Sequence, residues 1–224
     1  MEPVAESDTS GPTSPERRRN VVVAGHHGDV QTILAHRNDP DPHVRAASIG
    51  AMDRLDGLDD AGLVAALHDL SPIVIRRAIT ATAGRHASTE RDPIDEVLVT
   101  IVRGDNADLA ELSAWALGER WEETADGADV DVVIAIESVA RDHADALVRE
   151  AAVAALGSIG AARSLAVILA AAGDKATVRR RAVIALAPFD GPEVDAALNA
   201  ARTDRDWQVR QAAEDLLAPP RPSS

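Results

Sequence analysis

The stretch "DRDWQVRQAAEDLL", residues 204–217, runs from a charged turn into an apolar stripe, with a Val-Arg pair at the join. "VREAAVAALG" at 148–157 and "VRRRAVIALA" at 178–187 carry the same join. A pattern that returns at a fixed interval marks one structural unit copied along the chain. Anchoring on the apolar residue before the Arg gives Val44, Ile75, Leu109, Val148, Val178 and Val209, at spacings of 31, 34, 39, 30 and 31 residues. The residue that follows is Arg45, Arg76, Ala110, Arg149, Arg179 and Arg210, so only the third unit departs. Beyond each anchor, positions +3, +4, +7 and +8 are mostly small or aliphatic, which is one face of a helix. Gly84, Gly118 and Gly157 fall at +9, where a helix can end in a left-handed turn.

A second helical stretch lies between anchors, for example "DDAGLVAALHD" at 59–69 and "DVVIAIESVAR" at 131–141. Acidic residues and prolines separate the two helices of a pair, as in "NDPDPH" at 38–43 and "TDRD" at 203–206. Asp caps a helix start and proline breaks what precedes it. The unit is helix, short acidic turn, helix. "ERRRNVVVAG" at 16–25 aligns with 178–187, so residues 16–26 read as a half-unit capping the N-terminal end. Residues 1–15 and the last six, "PPRPSS" at 219–224, are rich in Pro and Ser and read as disordered tails around a repeat body at 16–218.

"DPDPHVRAASIGAM", "VREAAVAALGSIG" and "DRDWQVRQAAEDLL" resemble HEAT repeats, especially the short bacterial, phycobilisome-lyase-type kind. The resemblance implies an all-α, right-handed α-solenoid of about six helix pairs with a capping helix, its second helices lining a concave face. It also implies that turn aspartates and helix-start arginines form a ladder of charge-assisted hydrogen bonds between repeats. The residues placed for it are Asp39 and Arg45, Asp69 and Arg76, Asp142 and Arg149, Asp174 and Arg179, and Asp204 and Arg210. Arginine suits such a ladder because its planar fork reaches a carboxylate and a backbone carbonyl together.

On second helices, position +2 points away from the core and reads Ala46, Arg77, Glu111, Glu150, Arg180 and Gln211. Its sign changes along the row, which fits a partner of mixed polarity. Position +6 reads Gly50, Ala81, Trp115, Ala154, Ile184 and Asp215, with Trp115 the outlier. It precedes the longest inter-anchor segment, "GERWEETADGAD" at 118–129, and inserted loops on solenoids gather on one face. Trp115, Arg120, Trp121, Glu122 and Glu123, with Glu111, Glu150 and Arg180, form the candidate binding patch. The competing reading has Trp115 filling a gap and Trp121 capping a helix end. Trp207 is expected to pack against the preceding repeat. Arg17–Arg19, Arg76–Arg77 and Arg179–Arg181 could make a basic ridge, which nearby aspartates would largely neutralise.

Composition narrows the function. The 224 residues carry a formal charge of -14 and four aromatic side chains, Phe189, Trp115, Trp121 and Trp207. That charge opposes general nucleic-acid binding, because phosphate backbones attract basic surfaces. With no cysteine, disulfides and thiolate chemistry are excluded. No run approaches the roughly 18 apolar residues of a membrane span, so a cytoplasmic protein is expected. Seven histidines include no HExxH and no His-Glu pair, so neither a metal nor a cofactor is expected.

The leading reading is a non-catalytic scaffold that presents a helical groove to a protein or peptide. Deoxyhypusine hydroxylase and bilin lyases share similar repeats, and an enzyme of either kind is the alternative. The former needs His-Glu pairs that are absent here. Third stands a nucleic-acid module similar to the HEAT-like alkylpurine DNA glycosylases, whose concave face is basic.

Overall fold

A computed structural model describes residues 12–87, 91–122 and 127–218, and among these every regular element is helical. Even-numbered helices pair with the odd-numbered helices that follow them. The even row is α2 (Val30–Ala35), α4 (Asp60–Leu67), α6 (Pro93–Val102), α8 (Val130–Asp142), α10 (Leu165–Ala171) and α12 (Pro192–Ala201). The odd row is α1 (Ser14–His27), α3 (Pro42–Arg54), α5 (Pro72–Thr82), α7 (Ala107–Arg120), α9 (Ala146–Ile159), α11 (Ala176–Ala185) and α13 (Trp207–Leu217). Each odd helix packs on the next odd helix, so the six pairs and the α1 cap make one continuous stack. That is the expected solenoid. The cap is longer than residues 16–26, because Thr13 starts it and the Glu16 carboxylate accepts the Thr13 amide at 2.8 Å. Residues 12–15 therefore belong to the body. The rest of both expected tails lies outside the described residues.

The acidic turns start the helices as their chemistry dictates. Asp41, Asn106, Asp145 and Asp206 each accept a backbone amide from the first turn, and Pro42 or Pro72 opens a helix where an N–H has no partner to lose. Three residues past the N-cap stands a buried anchor, which is Val44, Val74, Leu109, Val148, Val178 or Val209. In α5 this is Val74, not Ile75. "SPIVIRR" offers three aliphatic residues before its arginines, and the Ser71-Pro72 start selects the earlier frame. Arg76 thus lies one residue, about 100° of helix, beyond the ladder position that Ile75 occupies.

The ladder itself runs from each repeat to the next. Arg17 holds Asp39 through two bonds of 2.7 and 3.0 Å, Arg45 holds Asp69 through two of 2.8 Å, Arg149 holds Asp174 through two of 2.7 Å, and Arg179 holds Asp204 at 2.8 and 2.7 Å. The remaining Nη1 donates to a carbonyl of the arginine's own turn, that of Asp39 for Arg45 and of Asp174 for Arg179. Three expected members differ. Arg76 reaches only Asp108, at 3.4 Å and half exposed. Asp142 ends α8 and takes no part; Arg149 uses the His143 carbonyl instead. Arg210 closes the row with the Asp204 and Arg205 carbonyls alone. Two rungs are missing as whole pairs. Ile75 faces a turn with Gly104 where others have Asp, and Ala110 faces one with His143.

Gly118 and Gly157 do not end helices; they lie inside α7 and α9. An added Cβ would come within 2.9 Å of the Ala155 Cα and 2.7 Å of the Ala185 Cα. Gly25 meets Ala51 in the same register, twelve residues past one N-cap against ten past the next. Small residues here let successive odd helices approach closely. Left-handed turns fall instead at Gly28 and Gly160.

Candidate functional site

With the frame of α5 corrected, the outward row five residues past each N-cap reads Arg18, Ala46, Arg76, Glu111, Glu150, Arg180 and Gln211. The row nine past reads Val22, Gly50, Thr80, Trp115, Ala154, Ile184 and Asp215. Small Ala154 on α9 beside large Trp115 on α7 leaves a groove of about 550 Å³ between the two helices. Trp115 is 41% exposed on its wall. Glu111, Glu119 and Glu150 line it with Asp108, while Arg76 and Arg181 flank it. Arg181 leans on Glu150 at 3.5 Å, and its buried Nε has no hydrogen-bond partner among the described residues. The groove is an acidic, aromatic surface bounded by two cations.

Of the expected patch, Trp115, Glu111 and Glu150 meet in this groove. Arg180 is half-buried on α11 outside it, and its neighbour Arg181 takes the lining place. Glu122 is exposed just past α7, and Glu123 lies outside the described residues. Arg120 and Trp121 are not surface groups. They are 1% and 4% exposed. Arg120 donates Nε to Asp95 at 2.5 Å, Nη2 to Asp92 at 2.6 Å and Nη1 to the Arg85 carbonyl at 2.9 Å. Trp121 Nε1 donates to the other Asp95 oxygen at 2.8 Å. Burial pushes the Asp95 carboxyl above its ordinary value, against the pull of Arg120 and Trp121. This cluster fastens the end of α7 to the start of α6 and the exit of α5. It is a structural lock.

One sequence signal could have found it. Ile94, Leu98 and Val102 form the buried stripe of α6, and Asp95 sits on that stripe as a charge among apolar residues. Trp207 is also displaced from expectation. At the first position of α13 it is 64% exposed, so most of the indole faces solvent.

Among the described residues no group of three or more His, Asp or Glu could hold a metal ion, and no helix is long and apolar enough to cross a membrane.

Comparison with known proteins agrees with the architecture. A family model described as HEAT repeats matches residues 94–187 and 134–218, together more than half of the chain. No curated protein matches. The YibA protein of Escherichia coli is similar in structure, at TM-score 0.63 and 15% identity over 94% of this chain and 77% of that one. An engineered protein reaches TM-score 0.65 at 19% identity, covering 94% of this chain and 65% of its own. A designed armadillo repeat protein in complex with the peptide (KR)4 gives 0.59 at 17%, covering 84% and 98%. These likenesses show the fold.

Proposed function

We propose that this chain, which belongs to the HEAT-repeat family, is a non-catalytic cytoplasmic scaffold that holds a segment of a protein partner on its odd-helix face. The observation that carries the reading is Trp115, a half-exposed indole set among Glu111, Glu119 and Glu150 in the groove between α7 and α9. A rigid aromatic anchor in a groove is the usual centre of an interface. Carboxylates around an indole face attract a cationic side chain by charge and by the ring quadrupole. The similar armadillo repeat protein carries a basic peptide, (KR)4. By that likeness the α7–α9 groove takes a basic side chain of the partner.

Affinity capture from the protein's native cells, wild type beside Trp115→Ala, tests this. Trp115 is the residue to change, since removing buried Trp121 would damage the fold. A partner retained by wild type and lost with Trp115→Ala is the expected result. Identical captures, or none with either protein, would overturn the reading.

A further inference from the structure

We infer that the N-terminal part of the same face holds a second, independent site: a basic groove that takes an acidic segment of a protein, through its Asp and Glu carboxylates. The chain has 37 acidic residues against 23 basic ones. Yet a groove of about 390 Å³ across α1, α3 and α5 is lined by Arg18, Arg54, Arg76 and Arg77 with His43, and by no carboxylate. Several arginines elsewhere are occupied. Arg17, Arg45, Arg149 and Arg179 form rungs, and Arg85, Arg120 and Arg163 are paired with acids. Among the described residues, Arg18, Arg54 and Arg77 have neither an ion pair nor a hydrogen bond, and Arg76 has only its 3.4 Å contact with Asp108. Unpaired guanidiniums gathered in one concavity are the arrangement that binds carboxylates bidentately.

Two glycines shape the place. A Cβ on buried Gly50 would run into the Arg77 guanidinium, and one on Gly25 would lie 3.2 Å from Arg54 Nη1. Both guanidiniums therefore lie against helix backbone, over a floor of small residues such as Ala47. An extended chain can reach them there.

The neighbouring surface chooses between occupants. A nucleic-acid strand leaving this groove along the face would meet Asp108, Glu111, Glu119 and Glu150 in the next one. Its uniform phosphate charge is repelled there. A polypeptide can present acids to one groove and a base to the other. The two grooves share only Arg76, and the basic groove needs neither Trp115 nor the carboxylates around it, so the two sites can fail separately.

The test is fluorescence anisotropy of fluorescein-labelled octaglutamate titrated with the full chain at low ionic strength. Saturable binding by wild type is expected, with a loss of roughly tenfold or more in Arg54→Ala/Arg77→Ala. Trp115→Ala is expected to keep wild-type affinity. Both arginines are exposed and unpaired, so the fold should survive, as circular dichroism would verify. If the alanine variant unfolds, Arg18→Glu provides the same comparison. Absence of saturable binding, or equal affinity in the arginine variants, would overturn the proposal. So would displacement by oligothymidylate of equal charge more readily than by unlabelled octaglutamate.

Discussion

The ends of the stack and its middle are held by different means. At the ends, Arg17, Arg45, Arg149 and Arg179 repeat one bond pattern along one edge, at the N-termini of the odd helices. From α5 to α9 that edge has no full rung. The middle is fastened at the opposite edge, where Arg120, fourteen residues past its N-cap and about 20 Å along the helix, holds Asp92, Asp95 and the Arg85 carbonyl. The rungs are 13–23% exposed at the arginine, whereas Arg120 is 1% exposed, apart from Arg179 at 7%. A periodic surface tie and a single buried lock do the same job. They differ in how much each stands to lose.

The buried lock should give the largest effect. Arg120→Ala leaves Asp95 buried without its cation and is expected to cost about 3–5 kcal/mol in chemical denaturation. Replacing Arg120 and Asp95 together by leucine should cost markedly less, because the most deeply buried charge is then not stranded and only the less buried Asp92 loses its partner. If the single and double variants are equally damaged, the loss comes from packing and not from charge. Next, Arg149→Ala is expected to cost about 1–3 kcal/mol by removing a two-bond rung. Arg76→Ala, at a half-exposed 3.4 Å contact, should stay within about 0.5 kcal/mol. Equal losses in this pair of variants would break the distinction between a rung and its absence. Gly157→Ala gains helix propensity but forces a methyl against the Ala185 backbone. The net expectation in thermal melts is a loss of about 1–2 kcal/mol.

Acid should separate the two regions most gently. The Arg partners hold Asp39, Asp69 and Asp174 below the ordinary carboxylate value of 3.8, and Asp204 down to about 2. A carboxyl lowered in the fold contributes stability above its unfolded value and loses it as pH falls through its folded value. Asp95 is shifted upward by burial, so protonation has the opposite sign there. Hydrogen-exchange protection should therefore fall in α9, α11 and α13 between pH 3.8 and about 2 before it falls in α6 and α7. The reverse order would contradict the assignment of the ties.

The repeated parts were readable from sequence because each unit restates its own instructions: an acidic cap, a buried anchor three residues in, then an arginine. The frame of α5 was not, since a run of aliphatic residues hides which one the cap selects. Gly118 and Gly157 looked like helix ends because spacing alone cannot tell a turn from a close helix contact. In the candidate site, Trp115, Glu111 and Glu150 stood out as exceptions within a periodic row. Arg120 and Trp121 misled because they adjoin a long inserted segment, while their acidic partners lie 25 to 28 residues earlier. A one-time pairing leaves no period to count.

Ties on an edge also govern how a beam flexes. The rungs at either end resist opening along their edge, while across α5, α7 and α9 that edge has only the weak Arg76–Asp108 contact, and the Arg120 lock ties α7 to α5 and α6 on the other side. Load applied at the two termini is thus concentrated at the middle, where bending spreads the untied edge first. The Trp115 groove straddles α7 and α9 at that point. An occupant wedged between these two helices would press on a stretch that no rung ties.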